Sequence, residues 1–153
     1  LGAAMCVGMA QGIIIVLGGT SATEGTALNT ILHVISEGLQ GFPPVLSAWF
    51  MYIFQAVFNF FVVSGSGQAA LTMPIMAPLS DLVGVERQVA CVAFQLGDAF
   101  TNVIVPTSGV LLGALAGAKL EWGQWAKFQI KFQALLFVMS SATVILAVLV
   151  GLS

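Results

Sequence analysis

Two short polar stretches interrupt an otherwise apolar sequence, and their residue types suit the binding of small ions and carboxylates. The stretches are SGSGQ at positions 64–68 and GDAFTNVIVPTSG at 97–109. Hydroxyl and amide oxygens suit Na⁺, while glycines let a ligand approach the backbone. Neither stretch pairs a nucleophile with a base, so binding is predicted rather than catalysis. The candidate residues for substrate or cation binding are Ser64, Gly65, Ser66, Gly67, Gln68, Gly97, Asp98, Thr101, Asn102, Pro106, Thr107 and Ser108.

The composition places these stretches in a membrane protein. Hydrophobic residues make up 59% of the chain and charged residues 7%, far from the balance of soluble domains. Uncharged runs cover Gly38–Ser80, Ala99–Ala118 and Phe132–Ser153, each near or above the roughly 20 residues of a spanning helix. These segments recur along the whole length, so no cleavable signal peptide explains them. The sequence predicts a multi-pass, all-α integral membrane protein with one membrane domain, residues 1–153.

Several other kinds of function are disfavoured. The net charge of −2 is small and its carriers are scattered, so no nucleic-acid partner is expected. Cys6 and Cys91 lie in apolar segments, and His33 has no metal-ligand neighbour at a suitable spacing. We therefore expect no resident cofactor and no enzymatic activity. The chain also begins without Met inside an apolar segment, which indicates part of a longer protein.

Five elements must position the two polar stretches. We predict a transmembrane helix over 1–18, an amphipathic surface helix over 26–40 and a re-entrant hairpin over 44–83. A discontinuous transmembrane helix over 87–118 and a final transmembrane helix over 132–152 follow. Lys119, Lys127 and Lys131 share one connection, which the positive-inside rule places in the cytoplasm, with Trp122 and Trp125 as interfacial belt residues.

The hairpin prediction depends on the length of its second leg. Ala69–Val83 would form about 22 Å of helix, short of a bilayer core of about 30 Å. A turn flanked closely by apolar residues then stops inside the membrane, where irregular backbone must line a cavity or be buried by protein. The alternative is a tight loop between two ordinary spans.

The second polar stretch predicts a broken helix, with half-helices at 87–97 and 110–118. Its alternative is a Pro-kinked continuous helix with Ser and Thr bonding back to carbonyls. Half-helix N-termini suit carboxylates, and C-terminal ends suit cations. Asp98 would stand at a C-terminal end, a costly placement without a nearby cation; its alternative is an acid paired with a neighbouring amide. Gln55 and Asn59, one turn apart, are interpreted as interhelical hydrogen-bonding residues.

The segment Phe58–Gly109, FNFFVVSGSGQAALTMPIMAPLSDLVGVERQVACVAFQLGDAFTNVIVPTSG, resembles the YfcC-like, DcuC-type carriers of the ion transporter superfamily. These are C4-dicarboxylate carriers or basic amino acid antiporters. The resemblance extends over the whole chain, including NTILHVISEGL and AWFMYIFQAVFNFF. It implies the C-terminal one of two inverted repeats, each with a re-entrant hairpin and a broken helix, meeting at a substrate and cation site. The hairpin-tip motif falls on residues 64–67, and the broken-helix motif on Gly97, Asp98, Asn102, Pro106, Thr107 and Ser108.

The resulting expectation is half of a secondary transporter in the bacterial inner membrane. Its substrate would be a small carboxylate-bearing metabolite, either a basic amino acid or a C4-dicarboxylate, moved by exchange or by Na⁺ or H⁺ coupling. The candidate Na⁺ ligands are Ser64, Ser66, Asn102 and Thr107. Expected partners are the lipid bilayer, the missing N-terminal repeat and, for the full-length protein, a second copy in a homodimer. The alternative is a channel or a non-transporting membrane scaffold.

Overall fold

The computed structural model describes residues 37–38 and 41–152, and all regular structure in those residues is helical. The first span, 1–18, lies outside the described residues. So does the amphipathic helix 26–40, except for Glu37 and Gly38, which are helical. The five main helices are α1 (Pro44–Phe58), α2 (Gly65–Leu82), α3 (Arg87–Thr101), α4 (Gly109–Gly117) and α5 (Trp122–Val150).

Helices α1 and α2 form a helical hairpin. Pro44 begins α1 at a position where a missing N–H costs no hydrogen bond, and Asn59 caps its C-terminus. A turn of residues 59–64, the hairpin turn, leads to α2, and Gly84 returns to within contact of Pro44. Gly84 has a φ of +69°, a left-handed conformation that glycine adopts without steric cost. The ends of the hairpin therefore lie side by side.

The hairpin legs differ from the predicted lengths, because SGSGQ is helical. Ser64 caps α2 by accepting a hydrogen bond from the Gly67 N–H, so the glycines form the first helical turn instead of an irregular tip. The first leg has 15 residues and the second has 18, about 22 Å and 27 Å of helix. The length of about 22 Å expected for the second leg is therefore too short.

The segment predicted to form a discontinuous helix contains two helices, and the interruption between them is narrower than expected. Helix α3 continues to Thr101, whose hydroxyl donates to the Gly97 carbonyl one turn earlier. The chain is unwound over residues 102–108, the break, and α4 begins where Ser108 accepts a hydrogen bond from the Leu111 N–H. Pro106 lies inside the break, and its missing N–H prevents helical hydrogen bonding there.

The final helix, α5, begins at Trp122 rather than at Phe132, so the polar-aromatic segment is its first third. It has 29 residues, about 43 Å, and is the one helix in the described residues long and apolar enough to cross a membrane. Gly151, with a φ of +67°, ends it. The lysine-bearing part is thus continuous with the apolar part.

Helix α1 packs against both α3 and α5, which also contact each other. Gln55 contacts Gly97 and Asn59 contacts Thr101, so α1 and α3 run parallel. Trp49 donates to the Ser141 hydroxyl at 3.1 Å, while Tyr52 packs on Phe137 further along α1, so α5 runs antiparallel to it. A buried core joins the helices through Ala48, Met51, Tyr52, Met76, Leu79, Val85, Val89, Ala90, Ala93 and Val144. Many large apolar side chains remain exposed on the outside, as suits contact with lipid.

Candidate functional site

The hairpin turn and the break lie against each other, and Asn59 connects them. Its side chain is completely buried at the end of α1. The Asn59 amide nitrogen lies 2.6 Å from the Thr101 hydroxyl and 3.0 Å from Asn102 Oδ1, at the end of α3. From the other side, the Thr107 hydroxyl donates to the Phe60 carbonyl at 2.9 Å. Both polar stretches of the sequence therefore belong to one structural unit.

A short chain of amide hydrogen bonds continues from Asn59 to Asp98. Asn102 accepts from Asn59 and donates its own amide to Asp98 Oδ1 at 3.1 Å. This contact is the predicted alternative for Asp98, an acid paired with a neighbouring amide. Asn59 Oδ1, in contrast, is buried and has no hydrogen-bond donor within the described residues. The Asn59 amide thus positions Asn102, and the Asn102 amide in turn positions the Asp98 carboxylate.

The Asp98 carboxylate also faces the N-terminus of α2. A Cβ built on Gly65 would lie 2.9 Å from Asp98 Oδ2, so a residue with a side chain would displace the acid. The first turn of a helix carries free N–H groups and partial positive charge, which stabilise a nearby carboxylate. The sequence placed Asp98 only at the unfavourable C-terminal end of its own helix. The structure adds a second helix end, since the N-terminus of α2 lies beside the Asp98 carboxylate.

The two hairpin legs are joined by buried amides and a threonine. The Gln55 amide donates to the Thr72 hydroxyl at 3.1 Å, and the Gln68 amide donates to Gln55 Oε1 at 2.8 Å. Thr72 in turn donates to the Gln68 carbonyl. The interpretation of Gln55 and Asn59 as interhelical hydrogen-bonding residues is confirmed, with α2 as the partner of Gln55 and α3 as the partner of Asn59.

A cavity of about 490 Å³, the site cavity, opens between the hairpin turn and the break. Its wall includes both serine caps, Ser64 of α2 and Ser108 of α4, together with Gly65 and Asn102. Two helix N-termini therefore border one space. Because free N–H groups concentrate at such ends, the arrangement can bind the oxygens of an anionic group.

Two indoles from α5 donate to the unwound backbone of the break. Trp125 Nε1 lies 2.8 Å from the Val103 carbonyl oxygen, and Trp122 Nε1 lies 3.0 Å from that of Ile104. These carbonyls have left the regular helix and need donors. The sequence interpretation as interfacial belt residues missed this role, since only the fold brings α5 beside the break.

Seven of the twelve predicted site residues lie at the site cavity or beside the hairpin. Ser64, Gly65, Asn102 and Ser108 border the site cavity, and Asp98, Thr101 and Thr107 contact the hairpin turn or its following helix.

The remaining residues have other surroundings. Gly67 and Gln68 are buried in α2, and Ser66 is exposed in its first turn. Gly97 is where α3 approaches α1 most closely, since a Cβ there would lie 2.7 Å from Gln55 Cβ. Pro106 is half-buried within the break.

The expected Na⁺ ligands are only partly assembled. Ser64 and Asn102 share the site cavity, whereas the Thr107 hydroxyl is bonded to the hairpin turn and Ser66 is exposed. Across the described parts of the chain, no group of three or more His, Cys, Asp or Glu side chains could hold a metal ion.

Comparisons with known proteins place the chain among carriers. The sequence profile of the DcuC family, described as C4-dicarboxylate anaerobic carrier, matches residues 1–149. The Escherichia coli K12 protein named "Putative basic amino acid antiporter YfcC" is 51% identical over 148 residues, which are 97% of this chain and 29% of that protein. A Haemophilus influenzae protein named as uncharacterized is 30% identical over 151 residues, 97% of this chain and 28% of that protein.

The chain thus spans less than a third of the length of these relatives. No solved structure matches it. The family match nevertheless covers both polar stretches and every helix that borders the site cavity. The chain is thus matched over nearly its whole length by one family profile and is half-identical to a relative named as an antiporter. It belongs to the DcuC family of carriers.

Proposed function

We propose that the chain is one half of a secondary active transporter for small carboxylate-bearing metabolites. The observation that carries this proposal is the meeting of two capped helix N-termini, those of α2 and α4, at a single cavity of about 490 Å³. A cavity of that size suits a metabolite. The N–H groups of the two ends provide the charge complement for its carboxylate without a basic side chain.

The site cavity would be reached within the bilayer, with α1 and α2 as a re-entrant hairpin. Helices α1 and α3 are each about 22 Å long, shorter than a bilayer core of about 30 Å. If both begin at one membrane surface, where the exposed pair Asp81 and Arg87 lies, their far ends stop inside the core. The alternative is that the hairpin turn lies at the depth of the lipid headgroups. The lysines on the first third of α5 favour this alternative, because that part of α5 lies beside the break.

The substrate would be a basic amino acid or a C4-dicarboxylate. The family description names the second class, and the name of the Escherichia coli relative names the first. Asp98 favours the basic amino acid, because a carboxylate beside the site attracts a cationic group and repels a second carboxylate. Transport would proceed by exchange or by coupling to Na⁺ or H⁺, with Asn102 and the serine caps as candidate cation ligands.

The other parts of the transporter would come from a segment of the full-length protein outside residues 1–153. Because a site between inverted repeats needs both of them, the N-terminal repeat is the expected partner, and the full-length carrier is expected to be a homodimer in the bacterial inner membrane. The chain covers 29% of the length of the Escherichia coli relative, so most of that relative has no counterpart in it.

Transport measurements on the full-length carrier in proteoliposomes test the proposal. Saturable uptake of labelled arginine or succinate, with acceleration by the same unlabelled compound on the opposite side, is expected of a carrier. A channel would show flux without such counterflow, and a scaffold would show no flux. Either result would overturn the proposed function.

Thiol labelling tests the location of the site. Ser66 is exposed in the first turn of α2, so Ser66→Cys presents a thiol beside the hairpin turn. We expect slow reaction with bulky impermeant reagents and protection by substrate. Fast labelling that ignores substrate would place the turn at the membrane surface and remove the re-entrant interpretation.

A further inference from the structure

Among the described residues, the wall of the site cavity contains one aromatic side chain, and it comes from α5. Trp125 borders the cavity together with the α2 cap Ser64, while the other described wall residues are small, polar or aliphatic. The motifs quoted for the family resemblance end at Gly109, before this helix begins, although the family match extends over the helix. The contribution of α5 to the site therefore becomes visible only in the fold.

The position of the Trp125 ring is fixed at two points. Its indole N–H donates to the Val103 carbonyl at 2.8 Å, within the break, and its ring centroid lies 5.8 Å from that of Phe128. Trp122 makes the corresponding bond to Ile104 at 3.0 Å and is absent from the cavity wall. The two tryptophans thus share one backbone-bonding role and differ in their access to the site cavity.

We propose that Trp125 determines substrate specificity by receiving the end of the substrate remote from its carboxylate, and that it favours a guanidinium or ammonium group there. The inference rests on the proposed function, in which the N-termini of α2 and α4 take the carboxylate. A cation is attracted to the electron-rich indole ring, while a second carboxylate gains nothing from it.

Three variants of the full-length carrier separate this role from backbone bonding. Trp125→Leu removes the aromatic ring system and the N–H. Trp125→Phe removes the N–H and the five-membered ring but keeps one aromatic ring, and Trp122→Phe makes the same change outside the cavity. Dissociation constants for two probes, arginine and succinate, would be measured by calorimetry in detergent, with thermal unfolding as the check on folding.

The inference predicts that Trp125→Leu weakens arginine binding by about 2- to 30-fold and leaves succinate binding nearly unchanged. Trp125→Phe should retain most of the arginine affinity, and Trp122→Phe should retain all of it. Equal losses for both probes in Trp125→Leu and Trp125→Phe would mean that Trp125 only bonds the break, which overturns the inference. The inference is also overturned if Trp125→Leu and Trp122→Phe weaken arginine binding to the same extent. Failure of the unaltered carrier to bind either probe would overturn the proposed function itself.

Discussion

The carboxylate of Asp98 occupies the space that a side chain at position 65 would fill. Gly65 is the first residue of α2, and a Cβ there would lie 2.9 Å from Asp98 Oδ2. The Asp98 carboxylate therefore fits beside α2 because position 65 carries no side chain. Because this contact joins the hairpin turn to the break, disturbing it should alter binding more than folding.

Gly65→Ala should displace Asp98 while leaving the fold intact, since the obstructing atom is the end of a flexible side chain. We expect arginine affinity to fall by roughly 5-fold, as expected for loss of a contact of about 1 kcal/mol. Gly109→Ala is the matched control, because Gly109 also follows a serine cap and has nothing within 4 Å of its Cβ position. Equal affinities in the two variants would contradict the prediction.

Gly97→Ala should destabilise the protein. The new Cβ would lie 2.7 Å from Gln55 Cβ and 3.0 Å from the Ala56 backbone nitrogen, so α1 and α3 would have to separate. We expect a loss of about 1–3 kcal/mol in the free energy of unfolding, measured by denaturant titration in detergent.

Gly113→Ala provides the control for that measurement. Gly113 lies in α4 with nothing near its Cβ position, so alanine should be neutral or stabilise by up to about 1 kcal/mol. A stable Gly97→Ala variant, with the unfolding energy of the control, would mean that the α1–α3 contact is not tight.

Asp98→Asn tests the charge while preserving the shape of the side chain. We expect uptake of arginine in proteoliposomes to be abolished or to lose its dependence on pH or Na⁺. Folding should change by no more than about 1 kcal/mol, the contribution of a charge at a helix end. Unchanged affinity and unchanged pH and cation dependence would make Asp98 a structural residue.

Asn59→Ala separates site chemistry from helix packing. This change removes the donor that reaches Thr101 and Asn102, so it should lower the free energy of unfolding by about 1 kcal/mol. Transport measured per folded molecule should fall less than in Asp98→Asn. The reverse order, with Asn59→Ala the more severe in uptake, would assign Asn59 to the substrate.

Residues 1–153 alone should not transport. A site between two repeats is incomplete with one of them, and the exposed apolar faces of the helices should drive association. Reconstitution of the purified chain, with its oligomeric state measured by light scattering, checks both expectations. Substrate uptake by a monomer would remove the two-repeat interpretation.

Within residues 41–152, the sequence predicted where helices lie better than it predicted their ends. Uncharged runs, Pro44 and the polar interruptions located the hairpin and the broken helix. Ser64 and Ser108 shifted the boundaries, because each side chain satisfies a free N–H and lets the following glycine begin a helix. The glycines of SGSGQ were interpreted as part of an irregular turn, whereas the Ser64 cap allows them to begin a helix.

The proximity of the two polar stretches was predictable, and the electrostatics between them was not. A lone asparagine in FNFF already indicates a polar partner in another helix. The placement of Asp98 at the end of α2, however, depends on how three helices cross, and no local pattern encodes that. The bonds from Trp122 and Trp125 to the break follow from the same crossing.

The bonds of Asn59 also have a consequence for how the protein is made. Asn59 leaves the ribosome 43 residues before Asn102, the partner that its amide reaches. At typical synthesis rates this is an interval of about 2–9 s. During that time the Asn59 amide, which lies in an aromatic segment, has not yet met its acceptors Thr101 and Asn102. Stable entry of α1 into lipid should therefore await the arrival of α3, so the hairpin and the broken helix should be released into the bilayer together.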